Sequence, residues 1–338
     1  MKKNLADSEW SYGSEIVVNV LITTYNHERF ISRAIESALN QVTDFRVQLI
    51  INDDASTDMT SNIVRSYQEK YPDTIVAILH ERNQYSLGKK PWYEELFPSV
   101  NSQYVAMLDG DDYWTDAYKL SKQVEFLRSN QHCSMVYHDL VRVGENEEII
   151  QKEPLSSDYF ELSNVDFLRF EYSTPPTSTL MFKSEILKKI PSWFPLLPYG
   201  DRGLTILASN HGMILGLKEK MGVYRVHSGG VKSGSSYLKN TADDIYFRKL
   251  MIKNLRFSDQ SIYQFNAQRI IELELIRFSV LCLKNKNFKG LIINQLKLLI
   301  FFMSNSKKIK LKNLNLLLYF KKIVRDVKVT FLDRLTKP

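Results

Sequence analysis

Ile16-Val17-Val18-Asn19-Val20-Leu21 is an apolar, β-branched run, and Phe30-Ile31-Ser32-Arg33-Ala34-Ile35-Glu36-Ser37-Ala38-Leu39 follows with its apolar residues at helical spacing. The pair reads as strand, loop, helix. The unit then repeats. Residues 47–51 form a second β-rich run that ends in Asn52-Asp53-Asp54-Ala55-Ser56-Thr57-Asp58, and a helix begins near Thr60 with Ile63, Val64 and Tyr67 on one face. A third strand, 75–79, leads into a polar loop containing Gly88, and a fourth, 104–108, runs into Asp109-Gly110-Asp111-Asp112. Strands alternating with helices predict an α/β fold whose sheet is mostly parallel, with ligands bound at the carboxyl ends of the strands where these polar loops gather.

Outward from this unit, residues 119–127 carry another helical pattern and 134–137 another strand, after which the alternation loses regularity and a mixed sheet edge is expected. Thr174-Pro175-Pro176-Thr177 and the proline-rich 191–198 are breakers, so 150–200 should be loops and short elements shaping a pocket. Beyond Asp243 the pattern is helical almost to the end. Gly229-Gly230-Val231-Lys232-Ser233-Gly234-Ser235-Ser236 marks a division near residue 240, with a catalytic domain over 1–240 and a basic helical region over 241–338.

A 338-residue chain suits one large α/β domain plus an appendage. Cys133 and Cys282 are distant and lie in no metal-type spacing, which argues against a disulfide framework or a zinc site and fits a reducing cytoplasm. Met1-Lys2-Lys3-Asn4-Leu5-Ala6-Asp7 leads into polar residues, so no secretory signal is expected. The net charge of +7 is uneven: residues 284–338 hold 14 Lys or Arg against two Asp, so this tail carries +12 and residues 1–283 carry −5. An acidic front domain is a poor nucleic-acid surface, and the tail is too aliphatic to offer stacking aromatics; no nucleic-acid partner is expected.

Two loops carry chemistry. Thr23-Thr24-Tyr25-Asn26 after the first strand, with Asp53 and Asp54 after the second, can hydrogen-bond a nucleobase and ribose and offer an aromatic face. The same Asp54-Ala55-Ser56-Thr57-Asp58 stretch also fits an Asx turn capping the next helix. Asp109-Gly110-Asp111-Asp112 sets three carboxylates within one turn. Crowded like charges repel, and a hard divalent cation, Mg²⁺ or Mn²⁺, is the natural reason to gather them, whereas a solvated acidic turn is the plainer alternative. Arg82, Lys89 and Lys90 lie in the loop after the third strand, either near phosphate oxygens or simply solvated.

Four segments in order, 18–26, 51–58, 108–114 and Tyr224-Arg225-Val226-His227-Ser228-Gly229-Gly230, resemble the family 2 glycosyltransferases of the GT-A fold, particularly bacterial surface-polysaccharide enzymes of the O-antigen and capsule type. The resemblance covers roughly 15–235. It implies a Rossmann-like mixed sheet flanked by helices, with a C-terminal helical extension beyond it. It implies a nucleotide-sugar donor, UDP-linked by preference, bound by Thr23, Tyr25, Asn26, Asp53, Asp54, Asp109 and Asp111. It further implies Mn²⁺ or Mg²⁺ held by Asp111 and Asp112 with His227, the histidine of a loop that otherwise reads as exposed surface. The acidic pair that such enzymes place before an acceptor-side helix is reduced here to Asp201 in Tyr199-Gly200-Asp201-Arg202, either the base of an inverting transfer or an N-cap of the segment 204–208.

A nucleotidyltransferase would open with a glycine-rich phosphate loop, which Thr23-Thr24-Tyr25-Asn26 is not. A catalytically inactive nucleotide-sugar-binding scaffold of the same fold is the alternative. In the tail, 291–303 is too short to span a bilayer, and Lys307-Lys308-Ile309-Lys310-Leu311-Lys312 alternates basic with apolar residues. That pattern predicts helices at an anionic membrane interface, or ordinary packing with lysines facing water. The expected acceptor is a glycan or polyprenyl-diphosphate-linked sugar, at the inner face of the cytoplasmic membrane.

Overall fold

A computed structural model describes residues 3–7, 14–151, 161–162, 175–230 and 236–254, with isolated residues between 266 and 281. The strands are β1 (Lys3–Asn4), β2 (Ile16–Thr24), β3 (Val42–Thr43), β4 (Arg46–Asp53), β5 (Ile75–Leu79), β6 (Tyr104–Asp109), β7 (Tyr113–Trp114), β8 (Cys133–Val143), β9 (Ile149–Gln151), β10 (Glu161–Leu162), β11 (Met181–Lys183) and β12 (Met213–Arg225). The α-helices are α1 (Ile31–Leu39), α2 (Thr60–Lys70), α3 (Lys119–Ser129), α4 (Gly200–Ser209) and α5 (Tyr237–Asn254). The main sheet runs β10-β12-β8-β11-β6-β2-β4-β5. Its β5, β4, β2 and β6 are parallel, β11 is antiparallel to both neighbours, and β12 lies parallel to β8. This is the mixed, mostly parallel α/β sheet expected from the repeated unit.

Continuous apolar strands are what a sheet covered on both faces requires. Leu21, Ile50, Val105 and Met107 pack to one side with Leu204 and Leu207 of α4 and Phe247 of α5. Val20, Ile22, Leu49 and Ile51 pack to the other with Ile31 and Ile35 of α1 and Leu120 and Val124 of α3. Each such side chain contributes roughly 1.5–3 kcal/mol by leaving water. Helix α1 buries Ile31, Ala34, Ile35, Ala38 and Leu39, as its spacing predicts, but Phe30 stands just before the helix in its capping position. That ring is free to turn toward the loops.

Strand β12 is longer than anything the sequence pattern after 137 suggests. Its register shifts against β8 between Leu217 and Lys220 and again between Lys220 and Gly222. It ends in Tyr224-Arg225, and its pairing of Gly222 with Trp114 and Val223 with Tyr113 brings that end onto the segment following the acidic turn.

The contact pattern divides the chain into a unit Met1–Gln268 and a second, Arg269–Pro338. Within the first, α5 is anchored to α4 by Arg202 Nη1, 2.6 Å from Asp244 Oδ1. Within the second, Arg269 pairs with Glu272 at 2.7 Å. The basic segments read as membrane-facing, 284–338, lie outside the described residues. No described helix is long and apolar enough to cross a membrane.

Two basic side chains are buried near Trp114 and Gly222. Lys119 is fully buried, with Nζ 3.7 Å over the Trp114 ring. His138 is also fully buried, its Nδ1 2.7 Å from the Asp139 carbonyl oxygen. Burial, reinforced by Lys119, pushes His138 down to about 3. Because the folded protein resists protonating a group that the unfolded chain protonates near pH 6.5, stability is lost as pH falls below that value. Linkage gives a loss of about 2 kcal/mol by pH 5. Urea unfolding should therefore weaken between pH 7.5 and 5 by about that much more in the wild type than in His138→Gln; equal slopes in the two proteins would refute it.

Candidate active site

The register of three parallel strands assembles the site. β2 pairs Thr23 with Asp109 of β6 and Thr24 with Asp53 of β4, so both acidic loops leave the same end of the sheet on either side of one threonine pair. Thr23 Oγ1 donates to Asp109 Oδ1 at 2.9 Å. Gly110 follows where a Cβ would stand 2.7 Å from Thr24 Oγ1 and 3.0 Å from His27 Nδ1, so the turn closes this tightly only on glycine.

Asp53 and Asp54 have the residue types of a ligand loop, and both are engaged by the protein. Asp53 is fully buried and accepts from the Ser56 amide at 3.3 Å and from the hydroxyls of Ser56 and Ser61. Asp54 accepts from the amides of Gln84 and Tyr85 at 2.6 and 3.0 Å, which fixes the loop after β5 across the mouth of β4. Asp58 accepts from the Thr60 amide at 2.9 Å, an Asx turn leading into α2, whose capping position is held by Met59 without a side-chain cap bond. Tyr25 is exposed, and Asn26 adopts a left-handed φ of 54°, tolerable for asparagine, with its Oδ1 accepting from the Thr57 amide at 2.7 Å. Lys90 is half-buried with Nζ 5.0 Å over the Tyr85 ring, whereas Lys89 is exposed.

The acidic turn and the end of β12 interlock. The Arg225 amide donates to Asp112 Oδ1 at 2.9 Å, and Arg225 Nε donates to the Asp111 carbonyl oxygen at 3.1 Å. Arg225 itself is buried, its guanidinium 4.6 Å from the Phe30 ring and paired with Glu147 at 2.5 Å; Glu147 also accepts from the Tyr113 hydroxyl at 2.9 Å. These contacts deliver His227 to the turn, with Nε2 2.9 Å from Asp111 Oδ2. On the opposite side His27 approaches the same oxygen, Nε2 at 3.8 Å. The ligand atoms of His27, Asp111 and His227 all lie within 4.8 Å of one another. Asp112 does not join this convergence: it is buried and turned into the Arg225 backbone, with Oδ2 unpartnered. Sequence reading missed His27, and with it Phe30, Glu147 and the Arg225 clamp.

Crowding shows in the ionisation of the turn. Burial, then the Asp111 charge, raises Asp112 well above the carboxylate range. Burial and Asp111 likewise push Asp109 up to about 7, with a contribution from the Asp201 charge. Burial would raise Asp111 too, but the His227 hydrogen bond and the His27 and His227 charges outweigh it and hold Asp111 low. Burial lowers His27, and His227 adds to this. A protein that keeps three carboxylates and two imidazoles this close has a donor set fit for a divalent cation, which would let the acids ionise together.

Asp201 lies in the first turn of α4, half-buried, with its carbonyl oxygen accepting from Thr205 Oγ1 at 2.8 Å. The helix cap is Tyr199 and no side-chain cap bond is made, so the carboxylate of Asp201 is not spent on capping. Its charge contributes to raising Asp109. Gly200 cannot be an acid here, since a Cβ would meet the Trp92 ring at 2.6 Å.

The family model described as glycosyl transferase family 2 matches residues 19–190, just over half of the 338-residue chain. An uncharacterized protein of Mycobacterium tuberculosis is 31% identical over 214 residues, 63% of this chain and 60% of that one. The chain thus spans about 60% of the length of the first curated relatives it matches. An Escherichia coli protein named UDP-Glc:alpha-D-GlcNAc-diphosphoundecaprenol beta-1,3-glucosyltransferase is 32% identical over 115 residues, 34% of this chain and 43% of that one. A Pyrobaculum calidifontis mannosyltransferase, solved with GDP-Man and Mn²⁺, superposes with a TM-score of 0.56 at 15% identity, covering 94% of this chain and 84% of that one. That likeness is one of fold, the GT-A fold of glycosyltransferases. Acidic turn, β12 end and matched span agree, and the chain belongs to glycosyl transferase family 2.

Proposed function

We propose that this glycosyltransferase moves one sugar, with inversion, from a UDP-sugar to a hydroxyl of a glycan or polyprenyl-diphosphate-linked acceptor in cell-surface polysaccharide synthesis. The observation that carries the reading is the meeting of Asp111 and His227 beside the carboxyl ends of β2 and β6, where Thr23 bonds Asp109. UDP is preferred because the E. coli relative that is 32% identical bears a UDP-glucose name, whereas the GDP-bound neighbour shares 15% identity. The lipid-linked acceptor follows from the same name and from the basic, apolar tail, which suits the inner face of an anionic membrane.

Thr23, with Asp109, faces the ribose and diphosphate; Tyr25 offers its exposed ring to the base; Asp53, Asp54 and Asn26 hold the pocket's walls in place. Asp111 and His227 would hold a divalent ion, which would neutralise charge on the departing diphosphate, while Asp112 pins the end of β12 through the Arg225 amide. Asp201 takes the proton of the acceptor hydroxyl as its oxygen bonds to the anomeric carbon and the bond to the diphosphate oxygen breaks. Calorimetric titration with UDP and GDP, each with and without Mn²⁺, tests this. Mn²⁺-dependent binding of UDP is expected; binding of neither nucleotide in any arm would sink the reading.

A further inference from the structure

We propose that His27 is a protein ligand of the divalent cation, so that the centre is a two-histidine, one-carboxylate set that takes Mn²⁺ in preference to Mg²⁺. The inference rests on the donor-site reading above and concerns a residue of the loop after β2, outside both the acidic turn and the β12 end. Asp111 Oδ2 is already hydrogen-bonded by His227 at 2.9 Å. His27 Nε2 stands 3.8 Å from that oxygen, too far for a hydrogen bond. Ligands about 2.1 Å from a cation stand roughly 3–4 Å apart across it, and the three side chains offer atoms within 4.8 Å of one another.

Apart from Asp111 at 3.8 Å, the His27 ring meets only the rings of Phe30 and His227 and Gly110 among the described residues. Among the described residues neither ring nitrogen makes a hydrogen bond, and Nδ1 is buried without a partner against Gly110. A largely enclosed imidazole with Nδ1 unpartnered and Nε2 only at ion-pair distance from Asp111 is costly unless something occupies the space it faces. Its placement is built rather than incidental. The His27 amide donates to Thr60 Oγ1 at 2.8 Å, Asn26 before it takes the left-handed turn, and the side chains of His27, Asp111 and His227 are only 15%, 16% and 7% exposed. The Phe30 ring, 5.1 Å from that of His227 and 6.4 Å from that of His27, walls the apolar side.

The donor set decides the cation. Mg²⁺ favours oxygen ligands and retained water, whereas imidazole nitrogens favour borderline transition ions, and Mn²⁺ accepts both nitrogen and the diphosphate's oxygen. Mn²⁺ should therefore bind the full-length protein more tightly than Mg²⁺ when the two compete directly.

The test is Mn²⁺ titration followed by electron paramagnetic resonance, with pulsed measurement of nitrogen couplings, on the wild type and His27→Gln, and UDP binding measured in parallel. Coupling to two imidazoles in the wild type and one in His27→Gln, with Mn²⁺ affinity lowered roughly tenfold or more in the variant, is expected. One coupled imidazole in the wild type overturns the proposal by itself, whether or not the variant folds. Unchanged affinity and couplings in a folded His27→Gln also overturn it. If UDP binds while Mn²⁺ does not, the metal proposal fails and the donor reading survives. If Mn²⁺ binds with two nitrogens while no nucleotide binds, the proposal stands and the donor reading fails.

Discussion

Asp111→Asn is expected to abolish Mn²⁺-dependent UDP binding and to lower turnover by roughly three orders of magnitude, the scale of losing a group that supports a catalytic cation. Asp111 is the one carboxylate both imidazoles address, at 2.9 and 3.8 Å through a single oxygen. Its neighbours cannot replace it, because Asp112 is turned into the Arg225 amide and Asp109 is held by Thr23. The effect on folding should be small for a physical reason. The substitution loses the attraction of Asp111 for His27 and His227, but it also relieves the repulsion that raises Asp109 and Asp112. These changes oppose each other, and urea unfolding should move by no more than about 1 kcal/mol. A folded Asp111→Asn protein that kept near-normal Mn²⁺-dependent UDP affinity would show that the cation is held elsewhere.

The parts of this site that were legible in the sequence are those whose chemistry is local. Three acids in one turn after an apolar strand announce themselves by residue type, as does a histidine in Tyr224-Arg225-Val226-His227. Continuous apolar runs likewise reveal β2, β4 and β6, since strands covered on both faces are apolar along their length, and the apolar run of the edge strand β5 reveals it too. What escaped depends on contacts between distant segments. His27 reads as one polar residue in a turn, and only the pairing of β2 with β6, seating Gly110 against it, gives the ring a role. The signal available was a histidine directly after a strand-end asparagine, which is thin on its own. Asp53 and Asp54 have residue types that suit a ligand, and nothing in the sequence signals that their oxygens also bond Ser56, Ser61, Gln84 and Tyr85, contacts that only the folded loops reveal. The glycine at position 200 reads as a lost acid, and the structure supplies the reason in the Trp92 ring packed where a side chain would begin. β12 stayed hidden because register shifts and the charged Lys218-Glu219-Lys220 stretch break its alternation just before the segment that carries Arg225 and His227.

Asp201→Asn is expected to lower kcat by about a thousandfold, within the range a positioned general base supplies, while UDP affinity with Mn²⁺ stays at the wild-type level. The substitution changes one oxygen to nitrogen and leaves the shape of α4 alone. No cap bond is lost, because the side chain makes none, and the bond from Thr205 goes to the backbone oxygen, which asparagine keeps. The first turn is fixed independently of the carboxylate, by Gly200 against Trp92 and by Arg202 on Asp244. A fall in kcat with unchanged binding and an unchanged unfolding midpoint would thus isolate proton transfer from positioning. Near-normal turnover in Asp201→Asn would move the base to another group. Asp109 is then the first to test, since it is the carboxylate of the acidic turn that neither His227 nor Arg225 engages. The two assignments separate in one experiment: Asp109 also receives the Thr23 hydroxyl, which the proposed donor site turns toward the nucleotide, so Asp109→Asn should weaken UDP binding, which Asp201→Asn should not.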